Sequence, residues 1–174
     1  SYAFKLDTTA PTVSSTSPAD SDTSVSVISS ISETFSEAMD NASVTTNISD
    51  TSCSGTVQVS SDTFSTCVQM SSSPTVSNSY KTFTVTPSSS LSFSTTYKIR
   101  VTTGVKDNGA GNTLSSQYET GTGFTTEARP SYVAVGASGT GSSGIILTSS
   151  DNGTSWTSRT YSTDIGSSAL SGVA

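Results

Sequence analysis

The residues that decide the fold are 95–112, which read T-T-Y-K-I-R-V-T-T-G-V-K-D-N-G-A-G-N. Every second residue from Tyr97 to Val101 is apolar, which is the pattern of a strand with one buried face. The run ends at Asp-Asn-Gly, residues 107–109, a combination that favours a tight turn. This stretch therefore predicts a β-strand that leads into a turn.

The same pattern recurs along most of the chain. Turn residues, among them proline at positions 18, 74 and 87, separate short alternating runs. The predicted strands are residues 12–17, 29–35, 55–60, 68–72, 81–86, 97–103 and 123–125. Seven short strands in about 115 residues predict a sandwich of two sheets.

Composition supports an all-β chain and excludes several functions. Serine and threonine, 42 and 31 residues, make up 73 of the 174 positions, and charged residues are only 11%. Good helix formers are scarce, whereas threonine, valine and aromatic residues suit strands.

A net charge of −6 argues against nucleic acid as a partner. The apolar runs are too short for a membrane span. The chain begins S-Y-A-F-K-L, which is not the pattern of a signal peptide, so we expect a mature, processed or excised chain.

The absence of histidine limits catalysis. It excludes a Ser-His-Asp triad, a Cys-His pair and most catalytic zinc sites. Carboxylate chemistry remains, because Glu33, Glu37 and Asp40 are close in sequence. We interpret these three as solvated or turn-stabilising groups, and we predict that the chain is not an enzyme.

Two cysteines, Cys53 and Cys67, flank a segment that reads as two short strands around residues 61–62. A hairpin there could bring the sulfurs together, so we predict a disulfide, and the alternative is two free buried thiols. A disulfide implies export to an oxidising compartment.

The segments P-T-V-S-S-T-S-P-A-D (11–20), I-S-E-T-F-S-E-A-M-D (31–40) and F-T-V-T-P (83–87), together with 95–112 and G-F-T-T (123–126), occur in an order that resembles a bacterial immunoglobulin-like domain of S-layer and other surface proteins. The resemblance implies a spacer, an adhesive module or a building block. Residues 39–44 are expected to form one helical turn with Asp40 as N-cap. Tyr97 is expected to tie a loop to the sheet through its hydroxyl.

The chain after Pro130 resembles one blade of a β-propeller with an Asp-box, S-x-D-x-G-x-[ST]-W. The matching residues are Ser149, Asp151, Gly153, Ser155 and Trp156. The resemblance implies a tight hairpin turn with the tryptophan packed between strands, and it implies architecture, not glycosidase chemistry. A lone blade leaves unpaired strand edges that other polypeptide must cover.

Calcium is the one cofactor that the sequence leaves open. Asp107, Asn108 and Asn112 lie in one loop, and oxygen ligands suit Ca²⁺. Asp7, Asp20 and Asp22 lie near the other end of the sequence. The alternative is that the loop residues only form a tight connection between strands.

These observations predict an immunoglobulin-like β-sandwich followed by a small antiparallel, blade-like sheet. The expected divisions are a leader strand or linker (1–10), the sandwich (11–126), a linker (127–131) and the blade (132–174). In the leader, Tyr2, Phe4 and Leu6 share one face of an extended strand and could pair with a neighbouring molecule.

We therefore predict a non-catalytic structural protein, extracellular or on a bacterial cell surface, that assembles with copies of itself through strand or sheet pairing. The first alternative is an adhesin module that binds a host matrix protein or glycan. The second is a non-catalytic fragment of a carbohydrate-active enzyme.

Overall fold

The computed structural model describes residues 7–137, 144–151 and 153–159. The chain divides into two compact units, Ser1–Glu127 and Ala128–Ala174. The described residues form strands, turns and loops without a helix, and so hold no helix that could cross a membrane. The all-β prediction is confirmed.

The first unit contains a four-stranded antiparallel sheet with the order β1-β2-β5-β4. Its strands are β1 (Val13–Ser17), β2 (Ile31–Phe35), β5 (Thr82–Val85) and β4 (Thr75–Ser77). Alternation along β2 and β5 places their apolar residues on one face, which is buried. Hydroxyl side chains occupy the other face.

A second sheet has the order β3-β6-β7, and β8 pairs with another part of β6. Its strands are β3 (Val57–Ser60), β6 (Thr96–Val101), β7 (Tyr118–Glu119) and β8 (Phe124–Thr125). The buried apolar side chains of both sheets form one cluster, as a two-layer sandwich requires.

Two aromatic pairs lie within that core. The rings of Phe35 and Phe83 meet edge to face at 5.9 Å between centroids, and those of Tyr97 and Phe124 stack at 5.8 Å. Such pairs add about 0.5–1.5 kcal/mol beyond burial of their area. The aromatic residues therefore help to set the register of β2 against β5 and of β6 against β8.

One predicted strand, residues 68–72, is wrong. Its amides donate to carbonyls of three different segments: Val68 to Val59, Met70 to Asn47 and Ser71 to Thr86. A strand requires successive bonds to one partner, so the segment forms only an isolated bridge at Met70. The sequence analysis also missed the short strands β4 and β7.

The two local expectations have different outcomes. Tyr97 accepts a hydrogen bond on its hydroxyl from the Ser92 amide at 3.0 Å, which confirms that it ties a loop to the sheet. Residues 39–44 form a hydrogen-bonded turn, not a helix. The Asp40 carboxylate still accepts a bond from the Ala42 amide, as a capping side chain does.

The interpretation of Glu33 as a solvated or turn-stabilising group is wrong. Glu33 lies in the middle of β2, between Ile31 and Phe35 on the core face, and its exposure is 0%. Both carboxyl oxygens lack a hydrogen-bond partner within the described residues. Burial raises the pKa of this carboxyl well above its ordinary value, so the neutral acid is favoured in the folded domain.

The second unit contains a three-stranded antiparallel sheet in its described residues, with the order β11-β10-β9. The strands are β9 (Tyr132–Ala137), β10 (Gly144–Ser149) and β11 (Thr157–Arg159). Residues 160–174 of the expected blade (132–174) lie outside the described residues.

Candidate functional site

A cluster of three carboxylates lies at one end of the sandwich. One ligand atom from each of Asp7, Glu37 and Asp107 lies within 4.8 Å of the others. Three segments bring these residues together: the approach to β1, the loop after β2 and the loop after β6. Because they are 30 and 70 positions apart in sequence, their proximity is a product of the tertiary fold.

Asp107 organises its own loop. Its Oδ1 accepts bonds from the backbone amides of Gly111 and Asn112, at 2.5 and 3.0 Å, and its Oδ2 accepts from Asn112 Nδ2 at 2.7 Å. Asn112 Nδ2 also donates to the backbone carbonyl of Asp7 at 3.1 Å. Asn108 contributes its backbone amide, which donates to the Ala38 carbonyl. These hydrogen bonds support the interpretation of this loop as a tight connection between strands.

The electrostatics of the cluster act on the pKa of Glu37. Partial burial raises the pKa of its carboxyl, the charges of Asp7 and Asp107 raise it further, and Lys81 opposes them. Oxygen ligands at this separation are chemically suited to a hard divalent cation. The calcium prediction for Asp107, Asn108 and Asn112 stays a prediction. The fold brings Asp7, which the sequence analysis named with them, and Glu37, which it did not, next to Asp107. Asp20 and Asp22 cap other turns.

The two cysteines form a disulfide between Cys53 and Cys67. The loop that they close contains β3, and its first residues, 53–55, lie against the buried side chain of Gln58. Gln58 Nε2 donates to the carbonyls of Cys53 and Gly55, at 2.8 and 3.1 Å. Asn47, also buried, donates from Nδ2 to the Asp50 carbonyl. The disulfide therefore secures a polar layer outside the apolar core.

A carboxylate organises the turn between β10 and β11. Asp151 Oδ1 accepts bonds from Ser149 Oγ at 2.7 Å and from the Ser155 amide at 2.8 Å, and Ser155 Oγ donates to its Oδ2. The Gly153 amide donates to Ser149 Oγ at 2.9 Å. These bonds lie within one turn and leave the carboxylate in a structural role.

Trp156 does not pack between strands in the described structure, which contradicts the expectation for this residue. Its exposure is 44%, and its Nε1 donates to the Gly153 carbonyl at 3.0 Å. Gly153 has a φ of +80°, and a Cβ at that position would contact the indole at 3.8 Å. The indole therefore lies along the turn.

The same hydrogen-bond pattern occurs a second time, in the first unit. Asp62 Oδ1 accepts from Ser60 Oγ at 2.7 Å and from the Thr66 amide at 2.9 Å, and its Oδ2 accepts from Thr66 Oγ1 at 2.6 Å. The Phe64 amide donates to Ser60 Oγ at 2.9 Å. The spacing S-x-D-x-x-x-[ST] is therefore shared by residues 60–66 and 149–155.

The sequence analysis missed this second turn because Phe64 stands where the motif has glycine. Thr63 and Phe64 adopt φ values of +58° and +61°, a region that such side chains rarely occupy. The Arg100 guanidinium lies 3.5 Å from the centroid of the Phe64 ring, which favours this conformation through a cation–π contact. A search that required only serine, aspartate and a hydroxyl residue would have found the turn.

Both aspartates are strongly acidic. Hydrogen bonds from Thr66, Ser60 and Ser65 lower the pKa of Asp62 to about 2. The corresponding bonds to Asp151, led by those from Ser155, lower its pKa to about 2 as well. Each turn therefore contributes stability that is present above the ordinary aspartate pKa and is lost as the pH falls towards 2.

We expect Asp62→Asn to lower the melting temperature of the first unit at pH 7. An amide nitrogen cannot accept the bonds from Thr66, so part of the turn loses its partners. The variant should also lose less stability than wild type between pH 4 and pH 2, because the titrating group is gone. Thermal unfolding followed by circular dichroism measures both effects. Ser61→Ala, in the same turn, is the control, and equal melting curves for D62N and wild type would contradict the assignment.

The proposed leader residues Tyr2, Phe4 and Leu6 lie outside the described residues. Their pairing with another chain therefore stays a prediction.

The fold and its disulfide define an all-β, immunoglobulin-like module. The chain belongs to the bacterial Ig-like domain family, whose model matches residues 7–126. No curated protein matches the chain. The second unit lies beyond the matched residues, so the family assignment describes the first unit.

Two solved structures show a slight similarity to this chain. One is a structure of surface layer protein SbsC, domains 1–6, with 16% identity, a TM-score of 0.46, and coverage of 86% of this chain and 25% of that chain. The other is the N-terminal part of the bacterial S-layer protein SbsC, with 16% identity, a TM-score of 0.46, and coverage of 81% and 40%. This chain thus spans well under half of either relative, and its family membership rests on the family match alone.

Proposed function

We propose that this chain is a non-catalytic structural module of the bacterial cell surface that associates with copies of itself by pairing strands or sheets. The observation that carries the proposal is that neither edge strand of the four-stranded sheet contains a charged residue. Membership of the bacterial Ig-like family and a disulfide typical of exported proteins support the setting.

The edge strands of that sheet, within the described residues, are β1 and β4. Their sequences, V-S-S-T-S and T-V-S, contain no charged residue. Natural proteins usually protect an edge with charges, because its unpaired amides and carbonyls can bind another strand. β4 is exposed along its whole length, and Val76 in its centre is 39% exposed. β4 is therefore the edge best suited to accept a second strand.

The outer face between these edges is also free of charge. Two rows of hydroxyls cross all four strands: Ser15, Thr34, Thr82 and Ser77 in one row, and Ser17, Ser32, Thr84 and Thr75 in the other. The hydroxyls of the central pair, Thr34 and Thr82, lie 3.0 Å apart. Hydroxyls both donate and accept, so such a face can meet an identical one without repulsion.

We expect the mass of the wild-type chain in solution to rise with concentration, and Val76→Lys to keep it monomeric. A lysine on the exposed edge introduces repulsion between copies and blocks strand addition. Sedimentation velocity over a concentration series measures the mass, and circular dichroism shows that the variant is folded. Ile28→Lys is the matched control, because Ile28 is 75% exposed and lies outside the strands.

Two results would contradict the proposal: a wild-type chain that stays monomeric throughout, or equal association of V76K, I28K and wild type. Removal of residues 1–6 tests the leader separately. If the leader supplies the donor strand, its removal abolishes association and leaves the monomer folded.

Adhesion is the second candidate function, and one observation favours it. A groove of about 270 Å³ lies beside the disulfide loop, lined mostly by hydroxyl and amide side chains from residues 51, 68–69, 88–92 and 97. A glycan is the ligand that such neutral polar walls would suit. Saturable binding by a monomeric chain on a glycan array would favour adhesion over assembly.

We propose a blade-like role for residues 132–174, supported by the three-stranded sheet and by the aspartate-centred turn between β10 and β11. The carbohydrate-active alternative rests on the same motif. Hydrolysis of a glycoside by this chain would overturn the non-catalytic proposal.

A further inference from the structure

Glu33 occupies an unusual place for a carboxylic acid. It lies on the core face of β2 with 0% exposure, flanked by Ile31 and Phe35. Both of its oxygens are without a hydrogen-bond partner in the described part of the chain. An ionised carboxylate in such surroundings is very unfavourable, so the closed domain requires the neutral acid.

No charged group of the packed strands is placed to compensate Glu33. Strands β1, β3, β4 and β5 contain no charged residue. Lys98 and Arg100 of β6 pair with Glu119 of β7 at the surface. Tyr97 of β6 is buried, and its hydroxyl is bound by the Ser92 amide. Burial alone accounts for the raised pKa of Glu33, in agreement with this environment.

The strand beside Glu33 on one side, β1, is an edge strand with few buried side chains of its own. Thr16 of β1 lies directly across from Glu33, and β1 is an edge strand within the described residues. Most of β1 is exposed, and only Val13 packs against the core cluster. The register is irregular between Val13 and Ser15. Few buried side chains of β1 itself therefore hold this strand between the buried Pro11 and Pro18, and local opening is drawn from such segments.

We propose that Glu33 and β1 form a pH-operated latch: the neutral acid keeps β1 closed, and loss of its proton releases β1 so that water reaches the carboxylate. Opening β1 exposes Glu33 without separating the two sheets of the sandwich. It also leaves the edge of β2 unpaired. Use of that edge by a second copy would rest on the proposed function, but the latch itself operates within one chain.

The direction of the response follows from proton linkage. The closed state holds the proton to higher pH than the open state, so opening releases a proton. The opening equilibrium constant should therefore rise about tenfold per pH unit above the ordinary glutamate range, until the closed state also ionises. Acid closes the latch and base opens it.

Hydrogen exchange read by mass spectrometry on the full chain tests the proposal. Protection factors, corrected for the intrinsic effect of pH on exchange, are compared at pH 5, 6, 7 and 8. In wild type, protection of residues 13–17 should fall by up to tenfold per pH unit, whereas β3 and β6 keep theirs. In Glu33→Met, which cannot titrate, protection of residues 13–17 should not change with pH.

Two further variants keep the result interpretable. Glu33→Gln retains a buried polar group but has no titrating proton, so it should also lose the pH response. It keeps the test valid if methionine disturbs the packing. Asp50→Asn removes an exposed acid outside β1 and β2, whose lowered pKa keeps it ionised from pH 5 to pH 8, and it should behave as wild type. The proposal is overturned if β1 protection is independent of pH in wild type, if E33M and E33Q retain the response, or if every strand loses protection together.

Discussion

Glu33→Met should raise the free energy of unfolding, by about 1–3 kcal/mol at pH 4. At that pH the wild-type carboxyl is largely neutral in the folded chain, and the gain comes from replacing a buried polar group that lacks partners. Methionine has a similar length and adapts to irregular core space. Few single substitutions in this chain should stabilise it as much.

The gain should increase with pH. The folded-state pKa of Glu33 is raised, so its neutral form contributes stability that is complete below the unfolded-state pKa and is lost as the pH rises towards the folded-state value. The difference between E33M and wild type should widen by about 1.4 kcal/mol per pH unit in that window. If the latch opens, the difference in unfolding free energy between E33M and wild type stops increasing at the pH at which β1 is released.

Urea unfolding at several pH values from 4 to 8 measures this effect. Far-ultraviolet circular dichroism is the appropriate probe, because the single tryptophan lies in the second unit. Asp50→Asn, at an exposed position outside the strands, is the control for a general effect of removing one negative charge. Stability curves of E33M and wild type that stay parallel at every pH would show that Glu33 does not titrate across the folding transition.

Loss of the disulfide should lower the stability of the first unit by about 3 kcal/mol, the loop-entropy value for a closed loop of this size. The double variant Cys53→Ala with Cys67→Ala removes the cross-link and adds conformational freedom to the unfolded chain. It also loosens residues 53–55, whose Cys53 and Gly55 carbonyls accept the hydrogen bonds of the buried Gln58 side chain. The free energy of unfolding of a single domain is typically only about 5–15 kcal/mol, so this loss is large.

Urea unfolding of wild type with and without a reducing agent, beside C53A/C67A, measures the contribution of the disulfide. Reduction should bring wild type close to the double variant and leave that variant unchanged. Ser54→Ala, an exposed change inside the same loop, should lie within about 0.5 kcal/mol of wild type. Equal stabilities of oxidised wild type and C53A/C67A would mean that the loop is held by its hydrogen bonds alone.

The strands that could be predicted from sequence are those whose own residues alternate. The runs that contain Ile31, Phe35 and Ile99 place apolar side chains on one face, and the structure buries these residues. β4 and the segment 68–72 could not be separated in this way. Both are short: β4 has one apolar residue, and residues 68–72 alternate only at Val68 and Met70. The choice between them depends on which neighbouring strand offers successive hydrogen-bond partners.

The candidate sites were less accessible to sequence reasoning. The aspartate-centred turn at Asp151 was visible because its bonds are local, and the turn at Asp62 had the same spacing but lacked the glycine. The acidic cluster was only partly predicted, since Asp107 was named without Glu37. Its members are joined by the tertiary fold and by no local pattern.

Sequence alone therefore determined the all-β class, the strands with strong alternation and the local turns, because each depends on interactions between residues a few positions apart. Only the tertiary structure decided that Glu33 is enclosed. Alternation does place Glu33 on the same face as Ile31 and Phe35, but a carboxylate is so costly to bury that solvation was the natural expectation. Whether the Glu33 side chain is buried depends on which side chains of the other sheet pack across that face. There, strands distant in sequence supply apolar side chains and leave the acid without a charged partner.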